Sequence, residues 1–188
     1  MTSPNTVIEP DDALLPGWAV VGARRRAHIE RVTTLLDTWA AAIGLAPDEA
    51  RAWHDAGRWH DALRDADGEV LSTWAGPLAS LPANAWHGPA AAARLAAEGE
   101  QREDVLDAIR WHTLGYATWG RTGRALYLAD FLEPGRSFAA EERAALRDAV
   151  PNDFEGSFRQ VVRWRLAWAI RDGKPLFPQT VALWNAVR

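Results

Sequence analysis

The chain has 188 residues with 21 Lys plus Arg against 25 Asp plus Glu, so it has the length of one ordinary domain and a net charge of −4. With 48% hydrophobic and 24% charged residues it is too apolar for general disorder and too mixed for a membrane protein. The absence of cysteine excludes disulfides, thiolate catalysis and zinc-finger chemistry, so any metal must be held by histidine and carboxylate. The acidic balance disfavours DNA or RNA as a partner. No apolar run approaches the roughly 20 residues of a spanning helix, and the N-terminus has neither a basic nor an apolar targeting region, so a cytoplasmic protein without a membrane partner is expected. Eleven tryptophans are scattered rather than set among basic stripes, and read as large core side chains.

Residues 1–15 are polar and proline-rich without periodicity and are expected to be a loosely ordered leader, ahead of a single domain over 16–188. From Trp18 to Ile43 the apolar positions Val21, Val32, Leu35, Leu36, Trp39 and Ile43 fall near helical spacings, His28 shares their face, and Gly44 is a stop signal. Pro47-Asp48-Glu49 opens a second helix that runs through Trp53 to about Leu63. Residues 65–86 hold two Gly and two Pro and read as a loop with short helical turns. Helices are then expected at 88–98, 102–113, 121–132, 140–149, 153–172 and 178–187. The sum is one all-α domain of seven or eight helices.

The five histidines are His28, His54, His60, His87 and His112. Each taken singly is more often a satisfied histidine than a ligand. Their neighbours change that reading: Asp61 follows His60, and Asp130 ends the apolar run Ala125-Leu126-Tyr127-Leu128-Ala129. A buried carboxylate is costly unless paired or coordinating, so Asp130 calls for a cation. Imidazole and carboxylate together suit Fe, Mn, Ni or Zn, and helix ends in a bundle can bring enough of them together for two ions.

Five strings in order carry a family resemblance: R-x-x-H at 25–28, H-D at 60–61, W-H-G-P at 86–89, A-I-R-W-H-T-x-G at 108–115 and Y-L-A-D-F-x-E-P-G-R at 127–136. Together with the closing P-L-F-P-Q-T-V-A-L-W-N, the chain from about residue 18 onward resembles the YqeK-type HD-domain family. These are symmetrical bis(5′-nucleosyl)-tetraphosphatases, helical-bundle enzymes that split diadenosine tetraphosphate into two ADP at a dinuclear iron site. The resemblance implies metal ligands His28, His60, Asp61, His87, His112 and Asp130, with Asp61 bridging two ions, most readily iron, with manganese as the alternative. It also implies attack on a β-phosphorus, with Asp61 and Arg64 in the catalytic machinery. Arg64 stands where the family usually has lysine; it can clamp phosphate bidentately but cannot donate a proton. Arg25, Arg64, Thr113, Gly115 and Arg136 are the implied substrate contacts.

Two similar strings compete for the H-D position, His54-Asp55 and His60-Asp61. Six residues apart, they differ by about 240° around a helix, so one pair at most faces the metals. The resembled family carries small residues just upstream of its H-D pair, which Ala56 and Gly57 match before His60-Asp61, while Arg51 stands at the equivalent place before His54; the resemblance therefore favours His60-Asp61. The leading expectation is a metal-dependent hydrolase of dinucleoside polyphosphates. The alternatives are an HD phosphohydrolase of another nucleotide and a non-catalytic nucleotide-binding scaffold. Trp164, Trp168 and Trp184 could form core or the face of a homodimer.

Overall fold

The computed structural model describes residues 15–188, so the expected leader at 1–15 lies almost wholly outside the described residues. The described chain is all helical: α1 (Ala23–Ile43), α2 (Pro47–Trp59), α3 (Gly68–Ala75), two 3₁₀ turns (Gly76–Ser80 and Ala83–Ala85), α4 (His87–Ala97), α5 (Glu103–Trp111), α6 (Arg121–Leu132), α7 (Ala140–Ala149), α8 (Phe154–Arg171) and α9 (Pro178–Val187). None of these helices is long and apolar enough to cross a membrane.

That is nine α-helices among the described residues, where the sequence pattern predicts seven or eight. The extra one is α3, inside the segment expected to be a loop. Its own sequence is short and bounded by Gly68 and Gly76, so local propensity is poor. Tertiary burial supplies what propensity lacks: Leu71 joins Leu63 and Ala90 in a small second core, walled by Trp18, Trp74 and Trp86.

The start of the bundle is set by local signals. Gly44 takes a left-handed φ of 73° and its N–H caps Ala40 and Ala41, which ends α1. Pro47 then opens α2, with Asp48 and Glu49 in its first turn. The two helices pack closely because Gly57 has no side chain; a Cβ there would lie 2.7 Å from Leu36 Cδ1 and 3.2 Å from Thr33 Cα. α6 is the central helix, buried on most sides and packed against α1, α2, α5, α7 and α8. Around it Val32, Leu36, Trp39, Trp53, Leu126, Tyr127 and Phe158 form the main core. All eleven tryptophans are buried or half-buried, as a core role requires. Trp164, Trp168 and Trp184 are half-buried against this core.

α2 stops at Trp59, short of the expected Leu63. Beyond it Ala62, Arg64 and Ala66 bond three residues back, and the backbone of Val20 captures Ala62 O and the Asp65 N–H at 2.8 and 3.1 Å. That competing pairing holds His60 and Asp61 in a tight turn. His54 and Asp55 stay on the helix and serve its packing. His54 Nδ1 lies 3.0 Å from Asp37 Oδ1 on α1, and Asp55 accepts a 2.8 Å hydrogen bond from Arg102.

The Asp37 contact raises the His54 pKa above the ordinary 6.5, with burial and Arg58 opposing and Asp55 assisting. A raised folded value means the pair stabilises fully below the ordinary pKa and fades as pH rises through the folded value. The melting temperature of wild type is therefore expected to exceed that of His54→Gln near about pH 5.5, with the gap closing towards about pH 8.5. A gap that widens with pH would contradict the assignment.

Candidate metal centre

Six side chains converge where five elements end or begin. His28 comes from α1, His60 and Asp61 from the turn after α2, His87 from the first residue of α4, His112 from the residue after α5, and Asp130 from the last turn of α6. Glycine permits one of these approaches: a Cβ on Gly88 would lie 2.7 Å from Ile109 O and 3.0 Å from Arg110 O. The start of α4 can therefore rest on the end of α5, and His87 Nε2 comes within 3.0 Å of His112 Nε2.

The six form two clusters. The ligand atoms of His28, His60 and Asp130 lie within 4.8 Å of one another, and so do those of Asp61, His87 and His112. Asp61 faces both. Its Oδ1 is 3.2 Å from His87 Nε2 and 3.5 Å from His112 Nε2, while Oδ2 is 3.5 Å from His60 Nε2 and 3.7 Å from His28 Nε2. One carboxylate thus presents a separate oxygen to each histidine pair.

Neighbouring groups orient these rings. His60 Nδ1 donates to Gly57 O and His112 Nδ1 to Ile109 O, each at 2.7 Å, so the proton sits on Nδ1 and Nε2 keeps its lone pair. His60 Nε2 is buried without a hydrogen-bond partner, an orphan that a cation would satisfy. Burial pushes the His60 pKa down to about 4 and lowers that of His87 as well. For Asp61 and Asp130 burial acts upward, but the histidines around both, and Arg136 beside Asp130, outweigh it and hold both carboxyls well below the usual range. Neutral imidazoles and ionised carboxylates are the states in which these groups bind metal. His28 is the exception: burial lowers it, but Asp130 and Glu133 prevail and raise it to about 8, so a bound cation would displace its proton. The donor set, nitrogen and oxygen without sulfur, fits a divalent metal.

Arginines surround the cluster. Arg25 donates to Asp61 Oδ2 and Arg136 to Asp130 Oδ1, both at 2.7 Å. Arg64 lines the same cavity of about 200 Å³, as does Thr113, whose Oγ1 lies 3.3 Å from His112 Nε2. Gly115 stands apart. It is buried at a φ of 89°, and a Cβ there would lie 2.5 Å from Leu183 Cδ2 of α9, so its lack of a side chain serves helix packing.

Two groups escaped the sequence reading. Arg165, on α8, lines the cavity, lies 3.9 Å from Asp130 and donates to Thr113 O at 3.1 Å. Nothing local distinguishes it among the arginines of its helix. Glu133 is 2% exposed and lies 3.2 Å from His28 Nδ1. It also accepts from Arg31 Nε at 2.5 Å and from the Gly135 N–H at 2.7 Å, and its pKa is lowered to about 2, those hydrogen bonds outweighing burial. An acid between an apolar helix and Pro134-Gly135 was the available signal. Glu133→Gln keeps the shape but removes the charge that orients His28. Metal affinity is expected to fall about 10- to 100-fold, and melting falls as well because the buried charge paired with Arg31 is lost; an unchanged metal titration would refute the role.

No family model matches the chain. Over 101 residues it is 32% identical to the symmetrical bis(5′-nucleosyl)-tetraphosphatase of Bacillus subtilis, 53% of each chain. It is 31% identical over 87 residues to the protein of the same description from Halalkalibacterium halodurans, 46% of each. The chain spans about half the length of the curated relatives it matches. A solved structure from Clostridium acetobutylicum, described as an HD superfamily hydrolase involved in NAD metabolism, superposes with a TM-score of 0.75 at 25% identity, covering 89% of this chain and 90% of that one. By sequence this chain is similar over about half its length to the curated symmetrical bis(5′-nucleosyl)-tetraphosphatases, and its fold is similar over most of its length to that of a solved HD superfamily hydrolase.

Proposed function

We propose that the protein hydrolyses dinucleoside tetraphosphates symmetrically, diadenosine tetraphosphate giving two ADP, with two metal ions, iron or manganese, held by His28, His60, Asp61, His87, His112 and Asp130. The observation that carries this reading is the Asp61 carboxylate, which faces one histidine pair with each oxygen. Two bound cations would supply a water of lowered pKa and charge neutralisation at the phosphates.

The chain's own side chains supply the rest. Arg25, Arg64, Arg136 and Arg165 border the cavity and offer forked donors to phosphate oxygens; Arg25 and Arg136 now rest on carboxylates of the cluster. Arg64 offers its forked guanidinium as a charge to neutralise the leaving diphosphate. Hydrolysis at the central bridge adds one water and divides four phosphates two and two. The net acidity of the chain leaves this cluster of arginines as the local attraction for a polyanion.

The test is incubation of the protein, loaded anaerobically with Fe²⁺ or separately with Mn²⁺, with diadenosine tetraphosphate, followed by chromatography of the products. ADP alone is expected. ATP with AMP would mean asymmetric cleavage and overturn the reading. The Clostridium neighbour's description favours one second reading, a phosphohydrolase acting on another nucleotide. NAD run in parallel distinguishes the two.

A further inference from the structure

Away from the metal cluster, two cavities meet along α8. One, of about 370 Å³, is an apolar slot walled by Leu166, Ala167 and Ile170 of α8, by Val181 and Trp184 of α9, and by Leu176 of the connection between the two helices. The slot exists because α9 is committed elsewhere. Leu183 packs on Gly115, and Thr180 Oγ1 donates to Leu114 O at 2.7 Å, so α9 lies on the α5–α6 connection along one face and leaves Val181 and Trp184 on another. Ile170, Leu176 and Val181 are 66%, 38% and 40% exposed, three of the six large hydrophobic side chains left exposed among the described residues. An apolar patch with a charged rim marks a binding surface, and the slot falls within the range of about 300–1,000 Å³ that small organic ligands occupy.

The second cavity, of about 430 Å³, continues from the slot through Arg163, which lines both. Arg124, Arg159, Arg163 and Arg188 line it against a single acid, Glu155, and Glu155 is already held by Arg124 at 2.8 Å. Arg159 and Arg163 stand one turn apart on α8, are exposed, and make no ion pair with another described residue. Like charges at that spacing repel, so the pair gains from a shared anion. The segment 154–188 carries six Lys plus Arg against two Asp plus Glu, in a chain whose net charge is −4. Arg165, two residues and about 200° around the helix from Arg163, turns to the metal cavity instead.

We infer that the α8–α9 slot and its arginine rim form a second ligand site, for a single aliphatic chain with an anionic head. The chain lies between Ile170 and Val181, and the head, a carboxylate or a phosphate ester, meets Arg159 and Arg163. An alkyl chain needs no polar partner from a lining in which Arg163 is the one charged side chain, whereas a peptide would bring its backbone amides with it. A second copy of this face would set one arginine cluster against the other, which disfavours self-association there. The site is separate from the proposed reaction and stands or falls without it.

Calorimetry on the full-length, Mn²⁺-loaded protein with decanoate, hexanoate and decyltrimethylammonium tests it. Decanoate is expected to bind more tightly than the cation of the same chain length, and hexanoate more weakly than decanoate, by up to about fourfold per methylene lost. Arg163→Glu should weaken decanoate about 10-fold or more, the worth of a hydrogen bond to a charged group. Ala167→Trp fills the slot from an exposed position and should do the same. Neither residue borders the metal cluster, so metal content and melting should match wild type in both variants. Decanoate bound no better than decyltrimethylammonium, or bound equally by wild type and both variants, overturns the site. Binding to phosphatidylglycerol vesicles without binding of dissolved decanoate overturns it in favour of a membrane surface. A sedimenting dimer that Ile170→Asp splits, again without decanoate binding, overturns it in favour of a second copy.

Discussion

Asp61→Ala is expected to abolish hydrolysis and metal binding together, while Asp55→Ala leaves both in place. Asp61 is 3% exposed and surrounded by four imidazoles, so its removal takes away the negative charge shared by the two halves of the cluster. A loss of several kcal/mol of transition-state stabilisation, at about 1.4 kcal/mol per tenfold, is about a thousandfold or more in rate. Asp55 instead accepts one hydrogen bond from a partly exposed Arg102. Its loss should cost about 0.5–1 kcal/mol of stability and no metal. Metal content and product formation for the two variants check this directly; an inactive, metal-poor Asp55→Ala would reverse the assignment of the H-D pair.

Arg143→Met is expected to be among the most destabilising single changes in the chain, although Arg143 belongs to none of the sequence strings that point to chemistry. The side chain is 2% exposed, and its guanidinium donates to three carbonyl oxygens, those of Phe131, Glu133 and Arg136. Burial lowers its pKa to about 10, so it remains a cation at neutral pH. It therefore pins the turn that carries Asp130, Glu133 and Arg136 into the site. Methionine keeps an apolar stem and strands the carbonyls, at about 1–3 kcal/mol for each left dry, partly offset because no charge remains buried. A net loss of about 2–4 kcal/mol lowers the melting temperature by about 4–16 °C in a domain of this size. Metal affinity should fall with it, about 10- to 100-fold, since the second layer around His28 loosens. Arg143→Lys should recover only part, because a point charge cannot serve three carbonyls at once. A variant melting with wild type would show that the turn holds itself.

The helices with clear punctuation were legible in the sequence. Gly44 and Pro47 mark the α1–α2 corner, and α6, α7 and α9 match their expected spans. α3 was not legible, because its stability comes from burying Leu71 against Leu63 and Ala90, residues outside the helix itself. The candidate ligands were legible as residue types, since a buried acid or imidazole in an apolar stretch demands a partner. Arg165 was not, because what marks it is whom it touches across the fold, and Glu133 carried one local signal, an acid between an apolar helix and Pro134-Gly135.

The sequence by itself determined the chemistry available to this protein: five histidines and paired aspartates without cysteine leave nitrogen and oxygen ligation, and an acidic chain leaves arginines to meet an anion. The sequence favours His60-Asp61 of its two H-D pairs, and only the tertiary structure decides how the chain turns that pair inward. His54-Asp55 and His60-Asp61 are nearly identical strings, and backbone pairing with Val20 turns the chain after Trp59 and brings His60 and Asp61 to the cluster. His54 and Asp55 are meanwhile spent on Asp37 and Arg102. Hydrogen bonds and burial between segments far apart in sequence make that turn, and no local pattern contains them.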